Sequence, residues 1–586
     1  MRQWMVAAKK ADFYAIAEKF HVDPVVARII RNREVIGEKN IRIYLGGNLS
    51  DLSDPHQMKD MDRLVEILAQ KIRKQVHIRI IGDYDVDGVT SSHLFLTALR
   101  RVGAKVDVVI PHRIQDGYGL SLHLLQQAKE DGVDTILTCD NGIAAIDEIA
   151  WAKAQKMTVL VTDHHAVPFE EHEGRRTEKK SLADAVVNPH QQDCGYPYKE
   201  LCGAGVAWNV IRVLYENYDM DKREAEDLLD FVAMATVCDV MSLTGENRIL
   251  VKEGLKRIRH TKNIGLQALM QACNVQPENS SAYHFGYVLG PCVNATGRLD
   301  TARHALRLFE TGQETEAEEI ARDLVDLNQE RKELTLQGVE MAKKLCEEGG
   351  YENDPVLVLF LPDVHESIAG LIAGRIREMY NRPVFVLTRG EEGVKGSGRS
   401  TENYSMYENM CGCAELFTKF GGHPMAAGLS LPEENVEKFR RKINENCPLT
   451  VEEVCPDIHI DMAMPVGYAS TELVHQFALL EPFGKDNPSP LFADRNLSIS
   501  RMWLIGKNRN VLRMSVLSEY GQPVPVIFFG DVETLFAYFT EKFGQEEVEN
   551  ALHGRKNRIL FSMVYTAKID FYQGNENLQL EMKYYR

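Results

Sequence analysis

Short apolar runs alternate with amphipathic stretches along residues 76–165. The apolar runs predict strands at 76–81, 105–110, 134–138 and 158–162. Helical spacing of apolar positions predicts helices between them, at 89–101, 120–130 and 144–155. Such alternation is typical of βαβ units and a mainly parallel sheet. We therefore predict an α/β domain over residues 51–250, preceded by an N-terminal helical region at 1–50.

The pattern changes twice further along the chain. Residues 303–348 contain no Pro and carry apolar positions at helical spacing, which predicts one or two long helices in a connector at 251–350. A second, smaller α/β unit is predicted at 351–450. After residue 455 the apolar runs become strand-like, and five of them separated by turns predict a small β-barrel at 455–586.

Composition places the chain among soluble globular proteins. Hydrophobic residues make up 44% and charged residues 26%, which excludes a disordered or fibrous protein. Lys and Arg number 68 against 85 Asp and Glu, and a net charge of −17 argues against a protein that coats nucleic acid by bulk charge. No apolar run is long enough for a membrane helix, and Lys9, Lys10 and Asp12 interrupt any export signal. We expect a cytoplasmic protein whose 11 cysteines are reduced thiols.

Three carboxylates stand in five residues between a predicted strand and a predicted helix. Asp83, Asp85 and Asp87 would repel one another unless a cation lies between them. Carboxylates suit Mg²⁺ and Mn²⁺, and ligands of open α/β sheets bind beyond the carboxyl ends of strands. A calcium-binding EF-hand is excluded because the loop's later Glu is absent. A solvated acidic turn remains the alternative for this segment alone.

Further acids and histidines follow other apolar segments. Asp140 comes at the end of one predicted strand and the Asp163-His164-His165 tripeptide at the end of the next. Asp239 follows a fourth apolar stretch. A mixed set of carboxylate and imidazole ligands favours Mn²⁺ or Mg²⁺ over a thiolate zinc site. These positions predict one metal site at the edge of the sheet.

The order of these motifs resembles the DHH phosphoesterase superfamily, and within it the bacterial exonucleases specific for single-stranded DNA. The resemblance extends over nearly the whole chain. The motifs that carry it are VDPVVARIIRNR (22–33), GDYDVDGVTS (82–91), PHRIQDGYGL (111–120), CDNGI (139–143), TDHH (162–165), LCGAGVAW (201–208), ATVCDVMSLTGENR (235–248), NATGRL (294–299), VHESIAGLIAGRI (364–376), KGSGRS (395–400), FGGHPMAAG (420–428) and LEPFGKDNP (480–488).

The resemblance implies two divalent metal ions, Mn²⁺ or Mg²⁺, and a set of residues around them. The implied metal ligands are Asp83, Asp85, Asp87, Asp140, His164 and Asp239. The second role that the resemblance implies for Asp83 is to orient the attacking water, and Asp140 is well placed to bridge the two ions. The implied catalytic residues are Asp83, His165 and Asn294. Asp163 is a candidate for fixing an imidazole tautomer.

The resemblance also implies a DHH catalytic domain, a DHH-associated substrate domain and a barrel of the OB-fold type. A pocket for a 5′-terminal phosphate is implied at Arg113, Arg298, Arg375, Ser397, Arg399, Gly422 and His423. Basic and aromatic side chains of the barrel would bind the single strand. The candidates are Arg501, Trp503, Lys507, Arg509 and Arg513, with Phe528, Tyr565 and Tyr572 as weaker aromatic candidates, about half of which are expected to lie in the barrel core.

The implied activity is metal-dependent 5′→3′ digestion of single-stranded DNA to 5′-mononucleotides in DNA repair and recombination. The implied partners are single-stranded DNA, a single-strand-binding protein and a recombination helicase, with no membrane, for a monomeric enzyme. Two alternatives remain: a DHH phosphodiesterase for short oligonucleotides, and an inactive replication scaffold. The intact acidic motifs argue against the scaffold.

Four positions depart from the family's pattern. The family commonly has Arg where this chain has Cys292, Trp where it has Val364, Pro where it has Ser242 and Gly where it has Asp486. None of these departures removes an implied metal ligand. Cys292 weakens any prediction of a cationic substrate contact at its position.

Overall fold

The computed structural model describes residues 3–113, 116, 119–172, 175–351, 353–390, 393–506, 509–572 and 574–586. They form two compact units. The first consists of Asn48–Pro456, and the second combines Gln3–Gly47 with Asp457–Arg586. Among the described helices, none combines the length and the apolar character needed to cross a membrane.

Strands and helices are numbered in chain order. The strands are β1 (Trp4–Val6), β2 (Ile78–Ile81), β3 (Val106–Val109), β4 (Thr135–Cys139), β5 (Thr158–Thr162), β6 (Phe169–His172), β7 (Arg175–Glu178), β8 (Ala185–Val187), β9 (Leu357–Phe360), β10 (Val384–Arg389), β11 (Val394–Arg399), β12 (Lys419–His423), β13 (Ala426–Leu431), β14 (Ile458–Ile460), β15 (Met462–Ala463), β16 (Phe492–Ile505), β17 (Val511–Leu517), β18 (Pro523–Phe528), β19 (Leu560–Tyr572) and β20 (Asn575–Tyr585). The helices are α1 (Phe13–Phe20), α2 (Pro24–Asn32), α3 (Glu38–Gly46), α4 (Met61–Arg73), α5 (Val86–Arg101), α6 (Leu122–Glu130), α7 (Ile146–Ala154), α8 (Gly203–Asn217), α9 (Lys222–Glu226), α10 (Leu229–Cys238), α11 (Gly245–Ile258), α12 (Ile264–Ala272), α13 (Ala282–His284), α14 (Gly290–Leu299), α15 (Ala302–Glu310), α16 (Glu314–Glu348), α17 (Glu366–Tyr380), α18 (Met406–Cys411), α19 (Val436–Glu445), α20 (Thr471–Phe477), α21 (Val532–Phe543) and α22 (Gln545–Leu552).

The first sheet confirms the predicted parallel α/β domain. Its strand order is β3-β2-β4-β5-β8, and every neighbouring pair is parallel. The chain passes from β2 to β3 on one side and then returns to β4 on the other side of β2. Strand order therefore reverses at β2 and β4, the kind of point where open α/β sheets bind ligands.

The predicted long helix and the second α/β domain are present, but the first half of that helix, with Ile320 and Leu324, shares the core of the first domain instead of only connecting two domains. Helix α16 is 35 residues long and packs against α12, α14 and α17. The second sheet has the order β12-β13-β11-β10-β9, in which β9 and β10 are parallel and the other pairs antiparallel. Helix α17 packs on β10 and β11 and so lies between this sheet and α16.

The second unit contains the predicted barrel. Its strands follow the order β15-β16-β17-β18-β20-β19, and pairing of β16 with β19 closes the sheet. The N-terminal helices share its core, because Val26 and Ile30 of α2 belong to the same apolar cluster as Leu480 and Phe492. Strand β1 pairs with β14, which joins the N-terminal segment to the beginning of the C-terminal segment in one unit.

Candidate active site

Helix ends hold the carboxylates that follow β2. Asp85 caps α5, and its Oδ1 accepts a hydrogen bond of 3.0 Å from the Gly88 amide. Asp87, in the first turn of α5, is buried and accepts from the amides of Gly203 and Ala204 at 2.6 and 2.7 Å. Those amides begin α8, so the positive end of a helix stabilises the Asp87 carboxylate.

A close backbone approach positions Asp140 at the end of β4. Asp140 has a φ of +62° and is buried. A Cβ atom on Gly203 would lie 2.6 Å from the Cβ of Asp140, closer than two carbon atoms can approach. Glycine at position 203 therefore lets the start of α8 contact both Asp87 and Asp140.

An imidazole joins the carboxylates of three separate elements. His164 Nε2 lies 3.0 Å from Asp140 Oδ1 and 3.6 Å from Asp87 Oδ2. It also lies 3.6 Å from Oδ2 of Asp239, which ends α10. The structure thus brings all six sequence-predicted metal ligands together, in overlapping groups whose ligand atoms lie within 4.8 Å of one another. Those groups are Asp83, Asp85 and Asp140; Asp87, His164 and Asp239; and Asp140, His164 and His165.

The buried carboxylates of this cluster repel one another, and bound cations would relieve that repulsion. Both carboxylate oxygens of Asp83 are buried without a hydrogen-bond partner among the described residues. Burial raises the pKa of Asp83 well above its ordinary value, and the Asp85 carboxylate raises it further. Burial and then Asp87 raise the pKa of Asp140 in the same way. A divalent cation offsets this repulsion and supplies the missing partners, so the donor set fits Mn²⁺ or Mg²⁺.

Asp163 holds the two histidines in place by hydrogen bonds. Its Oδ1 accepts from the backbone amides of His164 and His165, and its Oδ2 accepts from the Ile143 amide. Its Oδ1 also lies 2.8 Å from His165 Nδ1, so the tautomer that it fixes is that of His165. Burial alone would lower the pKa of His165, but the Asp163 hydrogen bond and nearby carboxylates raise it to about 9. Burial lowers the pKa of His164, which keeps that imidazole neutral, the form that binds metals.

Asn294 supports the site through the backbone. Its Oδ1 accepts a 3.1 Å hydrogen bond from the amide of Val86, the first residue of α5. This contact ties α14 to the turn that carries Asp85 and Asp87. In this structure Asn294 therefore positions the acidic turn.

A cavity of about 510 Å³ extends from the acidic turn to the second α/β domain. Its volume lies in the range of small-ligand pockets. Arg113 and Ser397 line it, together with Tyr84, Lys419 and Phe420. The Arg113 guanidinium lies over the Tyr84 ring, 4.9 Å from its centre. The cavity therefore combines cationic and aromatic groups, which suit a phosphate and a base.

Other arginines make the same region positive. Arg298 Nη1 donates to the Ser367 carbonyl at 2.7 Å and so joins α14 to α17. Burial, followed by Arg113 and Arg331, lowers the pKa of Arg298 to about 10. Burial also lowers the pKa of Arg399, with a contribution from Arg113. Mutual repulsion of these guanidinium groups is what a bound anion would relieve.

Five of the seven residues predicted for the phosphate pocket are not among the described residues that line the cavity: Arg298, Arg399, Arg375, Gly422 and His423. The Arg375 side chain is 69% exposed and pairs with Glu378. Gly422 and His423 are exposed residues of β12, and neither is among the described residues lining the cavity, whereas the neighbouring Gly421 and Gly428 are.

On the barrel, three of the predicted residues share one face. Arg501 and Trp503 alternate with buried Met502 along β16, and Arg513 is paired opposite Trp503 on β17. The Arg501 guanidinium lies 5.7 Å from the Trp503 ring centre. Arg509 is exposed beyond β16, and Lys507 lies outside the described residues. Phe528 and Tyr565 are 5% and 0% exposed, so their interpretation as base-stacking groups is wrong; the side chain of Tyr572 lies outside the described part.

Sequence reasoning missed Tyr84, Lys419 and Phe420 as cavity residues. Tyr84 stands inside the acidic motif and could have been considered with it. Lys419 and Phe420 immediately precede the Gly-Gly-His segment on β12. No residue pattern says which side of β12 faces the first domain, so these two could not have been found without the fold.

Domain models match three parts of the chain. A DHH family N-terminal domain model matches residues 77–236, a DHHA1 domain model residues 353–447, and a RecJ OB domain model residues 460–584. These ranges contain the first sheet, the second sheet and the barrel.

Complete proteins match as well. The single-stranded-DNA-specific exonuclease RecJ of Haemophilus influenzae is 32% identical over 582 residues, which covers 96% of each chain. RecJ of Bacillus subtilis is 33% identical over 512 residues, 87% of this chain and 63% of that protein, so the match spans less than two thirds of that relative. The crystal structure of RecJ in complex with Mn²⁺ from Thermus thermophilus has a TM-score of 0.81 and 25% identity, covering 100% of this chain and 79% of that one. The chain therefore belongs to the RecJ family of single-stranded-DNA-specific exonucleases.

Proposed function

We propose that this chain is a metal-dependent exonuclease that degrades single-stranded DNA from its 5′ end to 5′-mononucleotides, in DNA repair and recombination. The observation that carries the proposal is the six-residue carboxylate–imidazole cluster at the point where strand order reverses, beside a cavity with cationic and aromatic walls. Family membership points to the same substrate.

Two divalent ions, Mn²⁺ or Mg²⁺, would be held by the overlapping groups of ligands. Asp83, Asp85 and Asp140 would hold one ion, and Asp87, His164 and Asp239 the other. When bound, such ions lower the pKa of a coordinated water and stabilise negative charge on phosphate oxygens.

The remaining work belongs to the protein's own side chains. The Asp163 carboxylate, 2.8 Å from Nδ1, orients His165, and the other ring nitrogen of His165 would donate a hydrogen bond to a phosphate oxygen. Arg113, Arg298 and Arg399 make the region beside the cluster positive, which favours a terminal phosphate there. Tyr84 and Phe420 offer rings against which the terminal base can pack.

Polarity can be tested with a long single strand labelled at either end and carrying a 5′-phosphate. We expect mononucleotide release from the 5′ label first, with Mn²⁺ or Mg²⁺ supplied in turn. Release from the 3′ label first would overturn the polarity. Faster turnover of dinucleotides than of the long strand would favour a phosphodiesterase for short oligonucleotides, for which a barrel would serve no purpose.

The barrel face formed by Arg501, Trp503 and Arg513 is proposed to bind the strand beyond the cavity. Base stacking on an aromatic ring contributes roughly 1–3 kcal/mol per base. Trp503→Ala should therefore weaken binding of a long single strand about tenfold or more in an anisotropy titration, and leave dinucleotide turnover unchanged. Tyr520→Ala is the matched control, because Tyr520 is 79% exposed on a turn of the same barrel. Equal loss in both variants would contradict the assignment.

The family resemblance also implies protein partners, an oligomeric state and a location in the cell. We expect a monomer in the cytoplasm that binds a single-strand-binding protein and a recombination helicase. Sedimentation of the purified chain tests the first expectation, and co-purification with each partner tests the second.

A further inference from the structure

Two cysteines face each other between neighbouring helices of the connector. Cys273 follows the last residue of α12, and Cys292 lies in the first turn of α14. Their sulfur atoms are 3.7 Å apart. A disulfide between them would shorten this separation to about 2.05 Å, which requires rotation of the side chains or a small shift of one helix.

The two thiols differ in access. Cys292 is buried, with 2% of its surface exposed, whereas Cys273 is partly exposed. A soluble oxidant can therefore reach Cys273 first, and Cys292 is in place to react with the product. Paired roles of this kind are typical of reversible thiol oxidation, in which an accessible thiol is followed by a resolving one.

The surroundings favour a thiolate at the accessible position. Helix α16 places Asn328, Arg331 and Lys332 beside the pair. Asn328 Nδ2 donates to Cys292 Sγ at 3.4 Å, and its Oδ1 accepts from Arg331. Hydrogen bonding with Cys292 lowers the pKa of Cys273, burial opposes this effect, and the Lys332 ammonium lowers the pKa again, so that the net shift is downward. Positive, partly exposed settings are where cysteines are reactive.

We propose that Cys273 and Cys292 form a reversible disulfide, a redox modification site on the connector. The Cys273 thiolate attacks one oxygen of a hydroperoxide, and the O–O bond breaks. The other oxygen leaves as an alcohol or as water, and the Cys273 sulfur becomes a sulfenic acid. The Cys292 sulfur then attacks that sulfur, the S–S bond forms, and the sulfenic hydroxyl leaves as water with the Cys292 proton. Two electrons pass from two thiols to one peroxide, and a dithiol reductant reverses the change.

Helix α14 connects this pair to the candidate active site. Asn294, two residues beyond Cys292, accepts a hydrogen bond from the Val86 amide. Arg298, six residues beyond Cys292, donates a hydrogen bond to the Ser367 carbonyl. A Cβ on Gly297 would lie 2.4 Å from the Tyr84 carbonyl oxygen, so α14 has no free space on that side. A shift of α14 on disulfide formation is thus transmitted to the acidic turn, and this consequence rests on the proposed function.

The test for the disulfide uses the full chain, freed of reductant and treated with hydrogen peroxide near stoichiometry. We expect an intact-mass loss of about 2 Da, reversed by dithiothreitol, because disulfide formation removes two hydrogens. Proteolytic mapping should join the peptides of Cys273 and Cys292. Cys273→Ser and Cys292→Ser should each abolish the loss, while Cys411→Ser, which removes an exposed cysteine elsewhere, should keep it.

Trapping the intermediate separates chemistry from misfolding. Dimedone should label Cys273 in the Cys292→Ser variant, and the thermal midpoint of each reduced Ser variant should match that of the parent. A wild-type chain that keeps its mass, or a 2 Da loss that persists in Cys273→Ser, would overturn the disulfide.

The effect of the disulfide on the candidate active site is measured separately, by the rate of strand digestion. Digestion of a long single strand should slow several-fold on oxidation of the parent, recover with reductant, and stay constant in Cys273→Ser. A fully oxidised parent that digests at its original rate would overturn the transmission. The mass measurement stands even if the proposed exonuclease activity were absent, so the two failures are distinguishable.

Discussion

Asp87 and Asp140 owe their positions to single-residue features around them. Two backbone amides of α8 hold Asp87, and the missing side chain of Gly203 leaves room for Asp140. The sequence predicts the acids themselves, because each follows an apolar run that ends at the same sheet edge. The LCGAGVAW motif contains Gly203, but its support of both acids could not be predicted, because Gly203 stands 116 residues after Asp87 and 63 after Asp140.

Away from the cluster, Asp230 allows a pH prediction. Asp230 is buried at the start of α10, and burial raises its pKa from 3.8 to about 6. The folded chain therefore holds this proton to higher pH than the unfolded chain does, so stability falls as pH rises from about 4 to 6. Asp230→Asn stays neutral, and its free energy of unfolding relative to the parent should rise by roughly 3 kcal/mol between pH 4 and 7.

Denaturant titrations at several pH values measure this difference. Asp230 accepts hydrogen bonds from the Phe231 amide and the Thr261 hydroxyl, and the cost of replacing one of its two acceptor oxygens by an amide group does not change with pH. Asp227→Asn is the control, because Asp227 is 48% exposed and lies three residues away. If the difference in free energy of unfolding between Asp230→Asn and the parent stays constant between pH 4 and 7, the raised pKa of Asp230 is contradicted.

At the scale of elements, the ends of helices and strands converge on the cluster. Strands β2, β4 and β5 deliver acids and histidines at their carboxyl ends, α5 and α8 contribute their first turns, and α10 ends on Asp239. The four strands and three helices predicted at 76–162 agree with the structure to within three residues, since apolar periodicity records burial against one sheet, whereas α4, β6 to β8 and α8 to α11 were not predicted. β5 occupies the predicted residues 158–162, whereas α5 begins at Val86, three residues before the prediction, because Asp85 caps it.

Helix α8 provides an element-scale test. In Gly203→Ala the added methyl group would displace Asp140 or the start of α8, so Mn²⁺ affinity and exonuclease rate should both fall at least tenfold. Gly205→Ala is the matched control in the same helix, because its Cβ would meet the Leu201 side chain at an ordinary 3.4 Å. Calorimetric Mn²⁺ titration and strand digestion measure the two effects. Equal behaviour of the two variants would show that the close approach at Gly203 does not position Asp140.

At the scale of the whole molecule, the chain consists of two units that its linear order does not reveal. Residues 3–47 lie far in sequence from the barrel, yet Asp461 accepts from Arg33 at 2.9 Å, and both side chains are largely buried. The sequence predicts the helices of this segment by their periodicity, but not their partner, because any apolar surface could cover them.

The net charge of −17 is partly explained by the acidic cluster, and we expect DNA crosslinks to be confined to a narrow track rather than spread over the surface.

Truncation tests this division of the chain. A fragment of residues 48–456 should remain soluble and cleave short oligonucleotides, with weaker binding of long strands. A fragment of residues 1–456 should aggregate, because Val26, Ile29 and Ile30 lose the apolar neighbours that bury them. Light scattering and dinucleotide turnover of the two fragments measure the difference. Equal solubility would contradict the shared core.

The central claim is that the carboxylate–imidazole cluster carries metal-dependent hydrolysis. The most direct measurement is digestion of a 5′-phosphorylated single strand with Mn²⁺ by Asp140→Asn, beside Asp147→Asn, which changes an exposed acid in α7. We predict a rate at least about a thousandfold lower for Asp140→Asn, since charge stabilisation by bound metal supplies several kcal/mol. Its metal-free thermal midpoint should equal or exceed that of the parent, because one buried charge is gone, and Asp147→Asn should behave as the parent does. Undiminished digestion by a folded Asp140→Asn would contradict the claim.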